Sequence, residues 1–275
     1  MTLYPNAKIN LGLAVVSKRP DGYHNLQTVF LPVPGLHDEL EITPAESFSF
    51  VQEGLTIDCP PKDNLIIRTY TLAQENYPQV GNVHIRFRKN IPFGAGLGGG
   101  SADAAFTLKA LNLIFSLGLS DKQMEDLITP LGADCAFFIQ NRPRMAEGVG
   151  NIFSEVPSAL TEQLKNKWLL LVKPDCAVST ADAYRGVTPQ APETTLETSV
   201  SQPVSTWMNT VRNDFEPSVF RAYPAIAKVK QQLLDMGAVY AAMSGSGATV
   251  FGLFETAPSI PSALKEHFVA GAYQL

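Results

Sequence analysis

Pro92-Phe93-Gly94-Ala95-Gly96-Leu97-Gly98-Gly99-Gly100-Ser101 is the stretch on which the fold turns. Five glycines fall within the seven residues 94–100, more than a tight turn needs. Upstream, Val83-His84-Ile85-Arg86-Phe87 alternates apolar and polar side chains with the period of a strand. Downstream, Ala104, Ala105, Leu108, Leu111 and Phe115 share one face of a helix that Gly118 closes. The order is strand, glycine loop, helix. Glycines let backbone N–H groups converge, and the start of the helix adds positive potential, so the natural use of such a loop is to bind phosphate. A purely structural glycine turn is the alternative at this point.

Gly94, Gly96 and Gly99 also spell G-x-G-x-x-G. A dinucleotide fingerprint, however, sits between the first strand and the first helix of a parallel unit, with an acidic residue about 20 positions on. Here three antiparallel strands are expected first. No Gly-Lys-Ser/Thr follows, which excludes a Walker A loop.

Those first strands begin at Ile9. Ile9, Leu11, Leu13 and Val15 form one face; Lys8, Asn10, Gly12 and Ala14 form the other. Gly12 and Ala14 are too small for a solvated face, so something approaches it closely, and Lys8 and Asn10 point into a covered space. Pro20-Asp21-Gly22 is a turn, Leu26 to Val33 returns, and Glu39 to Ile42 follows as a third strand, a β-meander. Asn64 to Glu75 has helical spacing. Ser120-Asp121-Lys122-Gln123 is a capping box for a helix that stops near Pro130, and Gly132-Ala133-Asp134 comes next.

The polar segment Pro157 to Lys167 interrupts the apolar pattern, which places a first domain at 1–157 and a second at 158–275. Trp168 to Val172 reads as a buried strand. Gly186 to Ser205, rich in Thr, Ser, Pro and Glu, reads as a long mobile surface loop with one short helical turn. Ala225 to Met236 is helical, and strands at Val239–Met243 and Thr249–Phe254 flank Ser244-Gly245-Ser246-Gly247.

Composition narrows the partners. With 275 residues, 45% hydrophobic, the chain can bury a sizeable core. Lys and Arg number 21 against 26 Asp and Glu, a net charge of −5, with no run of five like charges. This argues against a nucleic-acid groove or a polybasic membrane anchor and favours small molecules. Three cysteines without C-x-x-C spacing indicate neither a disulfide framework nor a zinc site, and the first residues lack a signal-peptide pattern. A soluble cytoplasmic protein without membrane contact is expected, as a monomer or homodimer.

Taken singly, the polar residues have ordinary readings. Lys8 and Asn10 suit the wet side of a strand, Asp134 a helix N-cap as well as a base, Tyr23 and His24 a loop, and Ser244–Gly247 a hairpin. Taken together they are specific. Ala7-Lys8-Ile9-Asn10-Leu11, the stretch Pro92 to Ser101, and Ser244-Gly245-Ser246-Gly247-Ala248 resemble, in order and spacing, the three motifs of the GHMP kinase superfamily over the whole chain. Asp21-Gly22-Tyr23-His24, Asp63-Asn64-Leu65-Ile66, Gly132-Ala133-Asp134, Ala146-Glu147-Gly148-Val149-Gly150 and Asn213-Asp214 narrow the resemblance to one branch. That branch phosphorylates a cytidine diphosphate-linked methylerythritol on its 2-hydroxyl, in non-mevalonate isoprenoid synthesis. Another GHMP kinase, acting on a sugar, homoserine or mevalonate, is the neighbouring alternative. An NAD-dependent oxidoreductase or a non-catalytic nucleotide-binding protein lies further off.

The resemblance implies an α/β fold of the α+β type, in two domains with the active site in the cleft between them, ATP with Mg2+ as cofactor, and a left-handed β-α-β crossover. It implies Asp134 as general base for the hydroxyl, with Lys8 beside it to stabilise transferring charge. The phosphates of ATP would lie along Pro92, Gly94, Gly96, Leu97, Gly98, Gly99, Gly100 and Ser101, with Ser101 a candidate neighbour of the metal, whose acidic ligands the motifs do not assign. Asn64 and Lys89 would lie near the nucleoside. Asn10 would position the substrate together with Asp134, Tyr23 and Tyr184 would sandwich cytosine, His24 would bond its edge, and Phe30 would line the pocket. The chain departs from the family pattern at Ala102, in place of a second serine, at Cys135 after the base, and at Lys173-Pro174-Asp175-Cys176, which has no glycine.

Overall fold

A computed structural model describes residues 1–56, 59–264 and 267–275. In chain order the strands are β1 (Thr2–Leu3), β2 (Asn6–Lys18), β3 (His24–His37), β4 (Glu39–Pro44), β5 (Ser49–Gly54), β6 (Val83–Lys89), β7 (Arg144–Glu147), β8 (Ile152–Ser154), β9 (Trp168–Lys173), β10 (Tyr240–Met243), β11 (Val250–Phe254) and β12 (Phe268–Gln274). They form three four-stranded sheets, ordered β1-β4-β6-β5, β2-β3-β7-β8 and β10-β11-β9-β12. The chain divides into two compact units, neither continuous in sequence. The first is Met1–Lys8, Pro32–Phe93 and Gly98–Arg142; the second is Ile9–Leu31, Gly94–Leu97 and Pro143–Leu275.

In the first unit, β5 runs parallel to β6 through the helix Leu65–Asn76, while β4 is antiparallel to both β1 and β6. Leu40, Ile42, Ile85 and Phe87 turn one face of this sheet inward and are wholly buried, as are Ala105 and Leu111 of the helix Gly99–Ile114. Asn64 caps the helix at 65, its Oδ1 accepting from Ile66 N at 2.9 Å. The capping box expected at Ser120 is present: Gln123 Oε1 accepts from Ser120 N, and the helix runs Asp121–Ile128.

The expected meander is corrected. β4 does not pair with β3 but joins β1 and β6 in another sheet. Asp38, at the junction, explains the change of partner. It is fully buried, and its Oδ1 accepts from the backbone N–H groups of Asn90 at 2.6 Å and Ile91 at 2.8 Å, so the end of β3 is bound to the end of β6.

In the second unit, β9 and β11 lie at the centre of a sheet whose Leu170, Val172, Met243 and Val250 meet Phe215, Ile226, Val229 and Leu233 in one core. The close approach expected at Gly12 is there: a Cβ at that residue would stand 2.6 Å from Leu196 Cδ1 and 3.0 Å from Val211 Cγ1. Leu196 opens the helix Leu196–Ser201, with Thr195 Oγ1 accepting from Thr198 N. The segment 186–205 runs over the surface through residue 195, as expected, and then carries the short α-helix Leu196–Ser201, which the buried Leu196 and Val200 anchor to the fold. No helix among the described residues is long and apolar enough to cross a membrane.

Candidate active site

Within the first unit, Lys8 and Asp134 meet. Lys8 is the third residue of β2 and buried; its Nζ lies 3.1 Å from Asp134 Oδ2, whose side chain keeps 31% of its exposure. Asp134 sits in the turn before the helix Phe137–Gln140 and caps nothing, since the residue at that helix start is Ala136 with no side-chain bond. The ordinary N-cap reading of Asp134 therefore does not hold, and one carboxylate oxygen meets a buried ammonium at a partly open position.

Gly98 packs directly on the Lys8 stem. It holds φ +69°, and a Cβ there would come within 3.0 Å of both Cγ and Cε of Lys8 and of the Phe138 ring. The left-handed conformation and the crowding both select glycine. Gly98 is also the N-cap of the helix Gly99–Ile114 and offers no capping side chain, which leaves the first-turn N–H groups without partners inside the helix. Gly99 abuts Lys89: a Cβ would stand 2.9 Å from its Nζ. Ser101 bonds the thiol of Cys135, which burial pushes up to about 12. That thiol is a buried neighbour of the turn and not a nucleophile.

Lys89 is 2% exposed, with Nζ 2.5 Å from Asp38 Oδ2 and 2.8 Å from Asp103 Oδ2. Burial pulls this ammonium down, but Asp103 and Asp38 together outweigh it and hold Lys89 above its ordinary range. Burial drives Asp103 the other way, well above the usual carboxylate range. Lys89 and Asp103 line a cavity of about 290 Å³ together with Asn64, Ile66, Phe93 and Gly100. Phe93 is 63% exposed, a large apolar ring beside the cavity. Asn64 and Lys89 thus share one cavity, although Asn64 spends its Oδ1 on a helix cap and Lys89 its charge on two carboxylates. Asp38, Phe93 and Asp103 were not singled out from the sequence. The one signal available was Phe93, a bare aromatic inside a glycine loop.

Within the second unit, Asn10 and Gly96 are joined by Ser244. Asn10 N donates to Ser244 Oγ at 3.1 Å, Asn10 Nδ2 donates to Thr28 Oγ1 at 3.0 Å, and Ser244 Oγ donates to Gly96 O at 2.8 Å. Gly96 holds φ +74°, and a Cβ would collide at 2.1 Å with Ser244 O. Ala95 and Leu97 are buried, while a Cβ at Gly94 would meet nothing within 4 Å.

His24 opens β3 and stacks on Tyr184, centroids 4.8 Å apart at 18°. Tyr184 stands edge-on to Phe215 at 4.8 Å and lies in the helix Thr180–Arg185, whose start Ser179 caps. Tyr23, in contrast, is 65% exposed after the turn at 20–22, with its N–H bonded to Asp21 Oδ1. Phe30 is buried on β3, its ring 6.5 Å from that of Phe153. The structure brings His24 and Tyr184 together, leaves Tyr23 in solvent and places Phe30 in the interior.

Residues 64–142 match the GHMP kinases N terminal domain, and residues 202–270 match the GHMP kinases C terminal. The 4-diphosphocytidyl-2-C-methyl-D-erythritol kinase of Bacteroides fragilis is 53% identical over 258 residues, 92% of each chain. The enzyme of the same name from Cytophaga hutchinsonii is 51% identical over 258 residues, 94% of each. Among solved structures, a 4-(cytidine 5'-diphospho)-2C-methyl-D-erythritol kinase superposes with a TM-score of 0.78 at 33% identity, covering 94% of this chain and 91% of that one. The mevalonate kinase of Methanococcus jannaschii, at 12% identity and a TM-score of 0.70 over 100% of this chain and 98% of that one, shares the fold.

Proposed function

The chain belongs to the GHMP kinase family, and from that premise we propose that it transfers the γ-phosphoryl group of ATP to the 2-hydroxyl of 4-diphosphocytidyl-2-C-methyl-D-erythritol. The observation that carries the mechanism is the Lys8–Asp134 pair at 3.1 Å, with the lysine stem packed against Gly98. Asp134 accepts the proton of the attacking hydroxyl, and Lys8 stabilises the charge that spreads over the transferring oxygens. The N–H groups of 94–101, framed by Pro92 and Leu97, take the phosphates. Asn64 and Lys89 border the nucleoside in their shared cavity.

Magnesium supplies charge neutralisation when it is bound to the nucleotide. Ser101 is the hydroxyl that would neighbour it. No group of three or more His, Cys, Asp or Glu among the described residues is arranged to hold a metal ion.

Asn10 positions the acceptor, and Tyr23, His24, Phe30 and Tyr184 take the cytidine end. Because His24 already covers a face of Tyr184, cytosine displaces His24 from the stack, and the imidazole turns to the edge of the base. Tyr184→Ala and Tyr23→Ala are each expected to raise the KM for the cytidine substrate about tenfold to a hundredfold, since a stacked ring is worth about 1–3 kcal/mol. KM for ATP stays constant. Steady-state kinetics with melting temperatures check this; a Tyr184→Ala enzyme that loses stability through Phe215 while both KM values hold would make the ring a packing residue.

The reading itself is tested by ATP consumption with the cytidine substrate against a panel of sugar, homoserine and mevalonate acceptors. Turnover confined to the cytidine substrate is the expected result. A preference for any other acceptor overturns it. In thermal melts ATP, and not NADH, should stabilise the fold, by about 2.7 kcal/mol at 100 times its Kd.

A further inference from the structure

One buried amide below the 244–247 turn is left unused by this scheme. Asn213 is 3% exposed. Its Nδ2 donates to Met243 O and to Gly245 O, 2.8 Å each, and its Oδ1 accepts from Phe215 N at 3.0 Å. An asparagine amide has two donor hydrogens, and both are spent on the two carbonyls that flank Ser244. No apolar or acidic side chain of the same shape could do this. Met243 is gripped at its other polar atom too, its N–H donating to Glu216 Oε1 at 2.8 Å.

The segment around Asn213 is itself registered on β2. Leu13 N donates to Arg212 O at 2.8 Å, Asp214 N donates to Leu13 O at 2.9 Å, and Val15 N donates to Asp214 Oδ2 at 2.8 Å. Asn213 is thereby fixed to the strand that carries Asn10, and its side chain fixes the turn whose Ser244 hydroxyl touches both Asn10 N and Gly96 O. The turn has the backbone freedom to go elsewhere, since Gly245 and Gly247 hold φ of +56° and +91°. A glycine-rich segment needs external partners to keep one conformation.

We propose that Asn213 is a positioning residue for phosphoryl transfer: its amide sets the place of Ser244, and through that hydroxyl the acceptor-binding Asn10 and the phosphate-binding Gly96. The role rests on the kinase reading. It makes the turn a coupling between acceptor and nucleotide binding, so both substrates should sense one side chain that touches neither.

The test uses the full chain with Ser244→Ala, Asn213→Ala and the double variant. ATP affinity is measured by isothermal titration, and KM for each substrate and kcat are measured at steady state. Ser244→Ala and Asn213→Ala should each raise both KM values about 3- to 10-fold, the scale of one or two lost hydrogen bonds. The double variant should be no more than about twofold worse than the stronger single one, because both act on one linkage. Effects that multiply overturn the proposal, as does an Asn213→Ala enzyme that melts earlier with both KM values unchanged. Asn213→Asp keeps the volume and the acceptor toward Phe215 while losing both donors, and wild-type KM values in it would equally sink the role. Should no Asn213 variant fold, Ser244→Ala decides by itself: unchanged KM values there remove the link. If the wild type does not phosphorylate the cytidine substrate, the kinase reading fails, and ATP titration of the same variants still reports the Gly96 arm separately.

Discussion

Asp134→Asn lowers kcat by roughly 10²- to 10⁴-fold, the share a positioned general base contributes, with ATP affinity close to wild type. Asparagine fills the same space, and its amide oxygen can still face Lys8 Nζ, now 3.1 Å from Asp134 Oδ2. It has no oxygen basic enough to take a proton. The side chain at 134 keeps 31% of its exposure, so the fold survives the exchange. Lys8→Ala does comparable damage through lost charge stabilisation, with a larger fall in melting temperature because Lys8 is 3% exposed and its stem fills space beneath Gly98. Single-turnover phosphate transfer from prebound ATP reads the chemical step directly. Near-wild-type transfer by Asp134→Asn removes it as the base and leaves a reaction run by positioning alone.

Gly98→Val is expected to lower kcat/KM for ATP by about 100-fold or more, since misplacing a reacting group by about 1 Å already costs that much. The change acts twice. At φ +69° valine is strained by about 1–2 kcal/mol, and its Cβ starts 3.0 Å from Cγ and Cε of Lys8, so the lysine stem must move and its ammonium leaves Asp134. Gly94→Ala is the control: it shares the positive φ, at +61°, but its added Cβ would meet nothing within 4 Å, so only the backbone penalty remains. Titration with ATP and steady-state kinetics on both variants separate the two contributions. A folded Gly98→Val enzyme with wild-type affinity and turnover would make the loop a scaffold and move the phosphates elsewhere.

What was readable in the sequence was whatever a short window contains. Period-two alternation found β2 and β6, the capping box found the helix at 121, and Gly12 and Ala14 announced a covered face before any partner was known. What escaped was decided by residues far apart. The carboxylates that hold Lys89 come from positions 51 and 14 residues away, and Asp38 stands alone between two strands with no pattern around it. β5 was missed because it is an edge strand with half-exposed faces, and β7, β8 and β12 because they are short or irregular and derive their order from neighbours. Asp134 was legible only as part of a motif, since a turn aspartate carries no periodic signal. His24 stacking on Tyr184 was not legible at all: nothing in either local sequence says that the two rings meet.

The ionic cluster at Lys89 restricts how this protein can vary. One buried ammonium faces two buried carboxyl groups, Asp38 and Asp103, and burial holds Asp103 well above the usual carboxylate range, so exchanging Lys89 for a neutral residue strands the Asp38 charge in the interior, a loss of about 3–5 kcal/mol when a buried pair is broken. That is a large part of the stability of an ordinary domain. Asp38 also ties the end of β3 to Asn90 and Ile91, and Lys89 also walls the cavity, so a substitution that reshapes that wall is at the same time a folding mutation at a strand junction. A change at Lys89 therefore calls for a matching change at Asp38, and the single-step intermediate that lacks only the ammonium folds poorly. The cavity wall at Lys89 is an evolutionary ratchet: easy to keep, hard to leave by one substitution at a time.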